Sequence, residues 1–162
     1  MDELTPLRRL LTRLDYPMVI VTAAVGAERS GCLVGFHTQC SVRPVRYAVF
    51  LSKRNRTYRL AECADHLAVH FLAADQRDLA ELFGGETTDE VDKLAQVDHH
   101  PGAGGAPLID AAAHRFVGRV LDRHDGGDHV GFTLEPLHAE GTDDLVQLGF
   151  QDVIDLEPGH DP

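Results

Sequence analysis

Residues 29–61 contain no aspartate or glutamate, although the whole chain of 162 residues holds 26 of them. Within that stretch stand Arg43, Arg46, Lys53, Arg54, Arg56 and Arg59, interleaved with Thr38, Gln39, Ser41, Ser52, Asn55 and Thr57. Cationic side chains mixed with hydroxyl and amide donors, and no carboxylate to compete, suit a phosphate or another small anion. A phosphorylated small ligand is therefore the leading expectation, and a solvated basic face on acid-poor strands is the alternative. The stretch is too small to grip DNA. Neither GxGxxG after a strand nor GxxxxGK[ST] occurs, so a Rossmann or P-loop cradle is not expected, and the ligand would be held by loops at the rim of a barrel.

Other reactive residue types lack the spacing their chemistry needs. His66 and His70, the pair His99-His100, and His124 with His129 match no recognised zinc pattern, and no metal is expected. Neither Cys40 nor Ser41 sits in a nucleophile elbow, which argues against a hydrolase. Cys32, Cys40 and Cys63 show no CxxC spacing and read as free thiols in a reducing compartment.

The elements that must carry these residues follow from periodicity and punctuation. Residues 3–14 place five leucines on one stripe with Pro6 in the first turn, which predicts an amphipathic helix stopped by Pro17. Residues 19–25, 31–35, 47–52 and 66–72 read as strands. Residues 55–64 and 75–83 read as helices with Asn55 and Asp75 as N-caps and Gly84-Gly85 as a stop. Residues 87–107 are rich in Gly and Pro and read as a long loop. Residues 114–123 and 129–137 form a hairpin around His124-Asp125-Gly126-Gly127-Asp128, a last strand spans 145–150, and the acidic tail 152–162 is expected to fray. The sum is a mainly β, single-domain antiparallel barrel of six or seven strands with peripheral helices.

Totals narrow the function classes. A formal net charge of -11 argues against wrapping nucleic acid or coating an anionic membrane. No run of about 18 apolar residues is present, and the charged opening MDELTPLRRLLTRLD has no signal-peptide core. The expected location is the cytoplasm.

The ordered series GCLVGFHTQCS followed by Val42-Arg43-Pro44, FLSKRNRTY, FLAADQ, Asp92-Lys93-Leu94 and Gly127-Asp128-His129 resembles the flavin reductase-like proteins, which are FMN-binding split β-barrels. The resemblance runs from about Pro17 to Phe150. It implies that Thr38, Gln39, Cys40 and Ser41 lie along the isoalloxazine ring, and that Ser52, Lys53, Arg54, Asn55 and Thr57 reach the ribityl chain and phosphate. It further implies a phosphate contact from Lys93, and brings Asp128 and His129 close to flavin and nicotinamide, with His129 the catalytic candidate. The activity implied is hydride transfer from NADH or NADPH to non-covalently bound FMN or FAD, by a homodimer that can supply reduced flavin to a monooxygenase. The other reading is an FMN- or haem-binding electron-transfer or interaction module without NAD(P)H turnover. The chain departs from the family pattern at Val45 and Leu94 and has no Trp, which leaves Phe36, Tyr58 and Phe83 as stacking candidates or core residues.

Overall fold

A computed structural model describes residues 2–85 and 92–156. The elements in chain order are α1 (Thr5–Leu11), β1 (Val19–Val25), β2 (Glu28–Val34), β3 (His37–Val42), β4 (Val45–Ser52), α2 (Arg56–Ala61), β5 (His66–Phe71), α3 (Arg77–Gly85), β6 (His99–Pro101), β7 (Pro107–Ile109), β8 (His114–Asp125), β9 (His129–Glu140) and α4 (Phe150–Val153). Seven strands form one antiparallel sheet in the order β2-β1-β5-β8-β9-β4-β3, and β6 pairs with β7 separately.

The side-chain alternation of a strand sorts β1 between two cores. Val19, Val21 and Ala23 enter one cluster with Val49 and Leu51 of β4, Leu67 and Val69 of β5, Phe132 and Leu134 of β9, and Leu60 of α2. Ile20 points the other way, into a second cluster with Leu79, Ala80 and Phe83 of α3 and with Leu148 and Val153. Six of the seven large-sheet strands supply the first cluster, so the sheet curls around it. The hydrogen-bond ladder does not close: β2 and β3 are its free edges. The antiparallel barrel foreseen from the sequence is thus a curled, split sheet.

The chain ends are knitted together. Met18 N donates to Leu148 O and Phe150 N to Tyr16 O, both at 2.8 Å. The Gln151 side chain donates to Thr12 O and Leu14 O at 3.0 and 2.8 Å. Those bonds replace the expected last strand, which survives only as the bridges Pro17↔Gly149 and Ala73↔Gln147. The tail through Leu156 is held rather than frayed: Val153 is buried, and Arg77 of α3 donates to Asp155. Part of the presumed loop 87–107 is ordered as the turn Lys93–Gln96, β6 and the turn Ala103–Gly105, while 86–91 lie outside the described residues.

Local chemistry explains most boundaries. Asn55 caps α2, its side chain accepting from Thr57 N at 2.8 Å. Asp75 does not cap α3, which starts at Arg77; the side chain of Gln76 accepts from Ala73 N instead. No helix among the described residues is long and apolar enough to cross a membrane.

Candidate functional site

A cavity of about 310 Å³ opens between the end of β2, the end of β4, the last turn of α3 and the two chain ends. Aromatic rings dominate its walls: Tyr16, Phe36, Phe50, Phe83 and Phe150. Its polar groups are few and come from one corner, Ser52, Asn55 and His129. An apolar slot with a small convergent polar set is the usual form of a small-molecule site.

The polar corner is built by the sheet. Ser52 and His129 are register partners across β4 and β9, and the β8–β9 turn is fastened to the end of β4. Lys53 N donates to Asp128 O at 2.9 Å, and Lys53 Nζ pairs with Asp125 at 2.8 Å. That bond to Lys53 is the chief reason the Asp125 carboxyl is held below its usual range. Asp128 accepts from His129 Nδ1 at 2.6 Å, which likewise lowers the Asp128 carboxyl. Since a carboxylate only accepts, Nδ1 carries the proton and Nε2 is left for a ligand.

Three close glycine approaches shape the apolar walls. A Cβ at Gly31 would stand 2.9 Å from the Phe83 ring, one at Gly84 would stand 2.6 Å from Leu33, and one at Gly35 would stand 2.6 Å from the Tyr16 ring. Cys32 also lines the cavity, where burial pushes its thiol up to about 11 and keeps it inert.

The residues expected from the sequence separate into groups. Ser52, Asn55 and His129 line the cavity, and Lys53, Arg54 and Asp128 flank them in the chain. Arg54 N donates to Ser52 Oγ at 3.3 Å, and among the described residues its guanidinium has no ion pair, nor has that of Arg56. Thr57 is buried, with its hydroxyl 2.7 Å from that of Ser30. Thr38, Gln39, Cys40 and Ser41 lie on edge strand β3, exposed except for half-buried Ser41, and they do not line this cavity. Lys93 is buried and donates to Phe83 O at 2.9 Å. Its ammonium serves the end of α3, which takes it out of the cavity lining.

Of the aromatic candidates, Phe36 and Phe83 are wall residues, whereas Tyr58 packs against Phe132 in the core. Tyr16, Phe50 and Phe150 carry no signal in the sequence as wall residues. Two of them become neighbours only because the chain ends meet, with Tyr16 and Phe150 stacked at 4.7 Å.

The profile of the flavin reductase like domain matches residues 11–152. The chain belongs to the flavin reductase like family. This family member is 26% identical over 152 residues to a ferric-chelate reductase (NAD(P)H) of Archaeoglobus fulgidus, covering 93% of this chain and 90% of that one. It is 30% identical over 122 residues to the FMN reductase (NADH) RutF of Agrobacterium fabrum, covering 75% and 70%. Among solved structures it resembles the NADH:FAD oxidoreductase SgcE6 of Streptomyces globisporus C-1027, with a TM-score of 0.81 and 25% identity over 91% of this chain and 89% of that one.

Proposed function

We propose that this flavin reductase family member is an NAD(P)H-dependent flavin reductase that binds FMN or FAD non-covalently in the aromatic cavity. The observation that carries the reading is the pairing of that apolar slot with the polar corner Ser52, Asn55 and His129; Arg54 and Arg56, whose guanidinium groups have no ion pair among the described residues, flank Asn55 in the chain. This donor set fits a flavin, whose ring system is flat and largely apolar with a hydrogen-bonding edge and whose tail carries phosphate. When bound, flavin supplies the capacity to accept a hydride.

The protein's own contribution is placement and electrostatics. Phe50, Phe83 and Tyr16 wall the slot and keep water away from a flat ring held in it. Ser52 and Asn55 offer donors at the end of β4, and Arg54 and Arg56 give phosphate a positive surface. His129, fixed in one tautomer by Asp128, presents Nε2 to a carboxamide or a flavin edge. Thr38, Gln39, Cys40 and Ser41 belong to the same binding surface in the assembled protein, where the exposed β3 edge faces a second copy.

Homodimerisation fits the apolar surface left open. Leu4, Leu7, Leu10, Leu11 and Leu14 are 50–62% exposed, and α1 has no buried residue. Three free cysteines accord with the cytoplasm. A ready partner there is a monooxygenase that consumes reduced flavin; the reductase component of the trigonelline monooxygenase of Acinetobacter baylyi is a relative at 26% identity, though this chain spans 42% of it.

Purified protein tests the reading directly. It should carry, or take up when added, a flavin with the two visible absorption bands of the oxidised form, and should oxidise NADH or NADPH with free flavin as acceptor. Colourless protein that binds neither FMN nor FAD would overturn it. A flavin-loaded protein without steady-state turnover would be an electron carrier instead.

A further inference from the structure

Phe36 is the only exposed phenylalanine or tyrosine among the described residues, and it stands 52% open at the cavity mouth. A phenyl ring left in water forgoes the stabilisation that burial brings. Its main chain is nevertheless pinned. Phe50 N donates to Phe36 O at 2.9 Å, and the next residue, His37, is clamped on both ring nitrogens. Nε2–H of His37 donates to Pro17 O and Nδ1 accepts from the Tyr47 hydroxyl, each at 2.6 Å. Burial lowers the His37 pKa, which favours the neutral ring that this pattern uses.

The open ring is part of a series. Phe150 stacks on Tyr16 at 4.7 Å, Tyr16 meets Phe36 at 6.3 Å, and Phe36 leans over the imidazole of His129 at 5.0 Å. Four separate stretches of chain thus supply one aromatic strip along the mouth, ending on the Asp128–His129 pair. The deeper rings are satisfied by their neighbours: Phe83 is fully buried, and the Phe50 ring closes on Gly131, where a Cβ would come within 2.6 Å of it. Phe36 alone offers an uncovered face on a rigid backbone, so a flat ring can stack on it with little ordering cost.

We infer that Phe36 is the specificity-determining platform for the nicotinamide donor, a planar heteroaromatic cation when oxidised, with His129 beside it to take the carboxamide. The inference rests on the flavin reductase reading and goes beyond it by assigning the donor's place. A pyridinium ring over a phenyl face gains a cation–π contribution as well as stacking.

Equilibrium binding tests this without turnover. NAD⁺ is titrated calorimetrically into flavin-loaded protein, and FMN separately into flavin-free protein, for wild type, Phe36→Ala and Phe36→Tyr. The expected result is NAD⁺ binding weakened about fivefold or more in Phe36→Ala and restored in Phe36→Tyr, with FMN binding changed less than twofold in both. In steady state the same Phe36→Ala change raises KM for NADH with kcat little altered. If FMN binding weakens in step while NAD⁺ binding does not, Phe36 is part of the flavin wall and the assignment is overturned. If wild type binds FMN but Phe36→Ala changes neither titration, the platform has no such role. Wild-type protein that binds no flavin defeats the parent reading instead, an outcome distinct from both.

Discussion

Ser52 and His129 come from strands far apart in the chain, yet they stand opposite each other in the β4–β9 ladder and share one corner of the cavity. Their placement depends on the β8–β9 turn, which Lys53 holds through both its backbone and its ammonium group.

His129→Ala should lower the rate of hydride transfer by about tenfold, the worth of one hydrogen bond to a developing charge. Flavin affinity should hardly change, because Ser52, Asn55 and the arginines remain. Stopped-flow reduction by NADH alongside an FMN titration measures both; unaltered reduction removes His129 from the chemistry.

Asn55→Asp separates two duties of one residue. Aspartate still accepts from Thr57 N, so the cap of α2 and the melting temperature should be kept, while Asn55→Ala should cost about 1 kcal/mol. A carboxylate at the polar corner should repel phosphate, so FMN should lose several-fold more affinity than riboflavin. Equal losses for the two flavins would place the phosphate elsewhere.

His70 makes stability depend on acid. It is fully buried, accepting from Ile109 N and donating to Ile20 O, both at 3.0 Å. Burial lowers its pKa from 6.5 to about 4. The folded state keeps the ring neutral where the unfolded chain takes a proton, so its contribution is complete above about pH 6.5 and is lost as pH falls toward 4. Urea denaturation should show about 2 kcal/mol less stability at pH 5 than at pH 7 from this group. A His70→Gln variant should lose that part of the slope.

Gly31→Ala should destabilise by about 1–3 kcal/mol through overpacking, because the new methyl group meets the buried Phe83 ring at 2.9 Å and Thr22 at 3.1 Å. Thermal unfolding measures the loss. Displaced Phe83 should also weaken flavin binding, since the ring is a cavity wall.

Leu10→Glu tests the proposed homodimer and should favour monomers. The side chain is 62% exposed in the isolated chain, so the charge costs the fold little and acts on association alone. Light scattering across a concentration series should show a weakened dimer, and an unchanged dissociation constant would move the interface off α1.

The central strands were legible because Val, Ile, Leu and Phe fill them and Gly or Pro bound them. β3 was not: of His37, Thr38, Gln39 and Cys40 only Thr38 favours a strand, the four show no apolar alternation, and the register slips between Gln39 and Ser41. An edge strand needs only one neighbour, so its sequence is weakly constrained. Of the cavity lining, Ser52 and Asn55 stood out inside the acid-free stretch, whereas His129 was reached only through the family resemblance. The family resemblance pointed Lys93 toward a phosphate, whereas in the fold its ammonium donates to a carbonyl at the end of α3, a contact that no local pattern announces. The wall of Tyr16 and Phe150 was hidden, since no local pattern announces that two chain ends will cross.

That crossing sets the order in which the protein can become competent during synthesis. The curled sheet is complete once β9 has emerged, but Tyr16 waits for Phe150, and Leu14 for Gln151, to leave the ribosome. A nascent chain stopped just after Glu140 would own every strand and still lack one side of the cavity, so ligand capture waits until Phe150 and Gln151 have emerged.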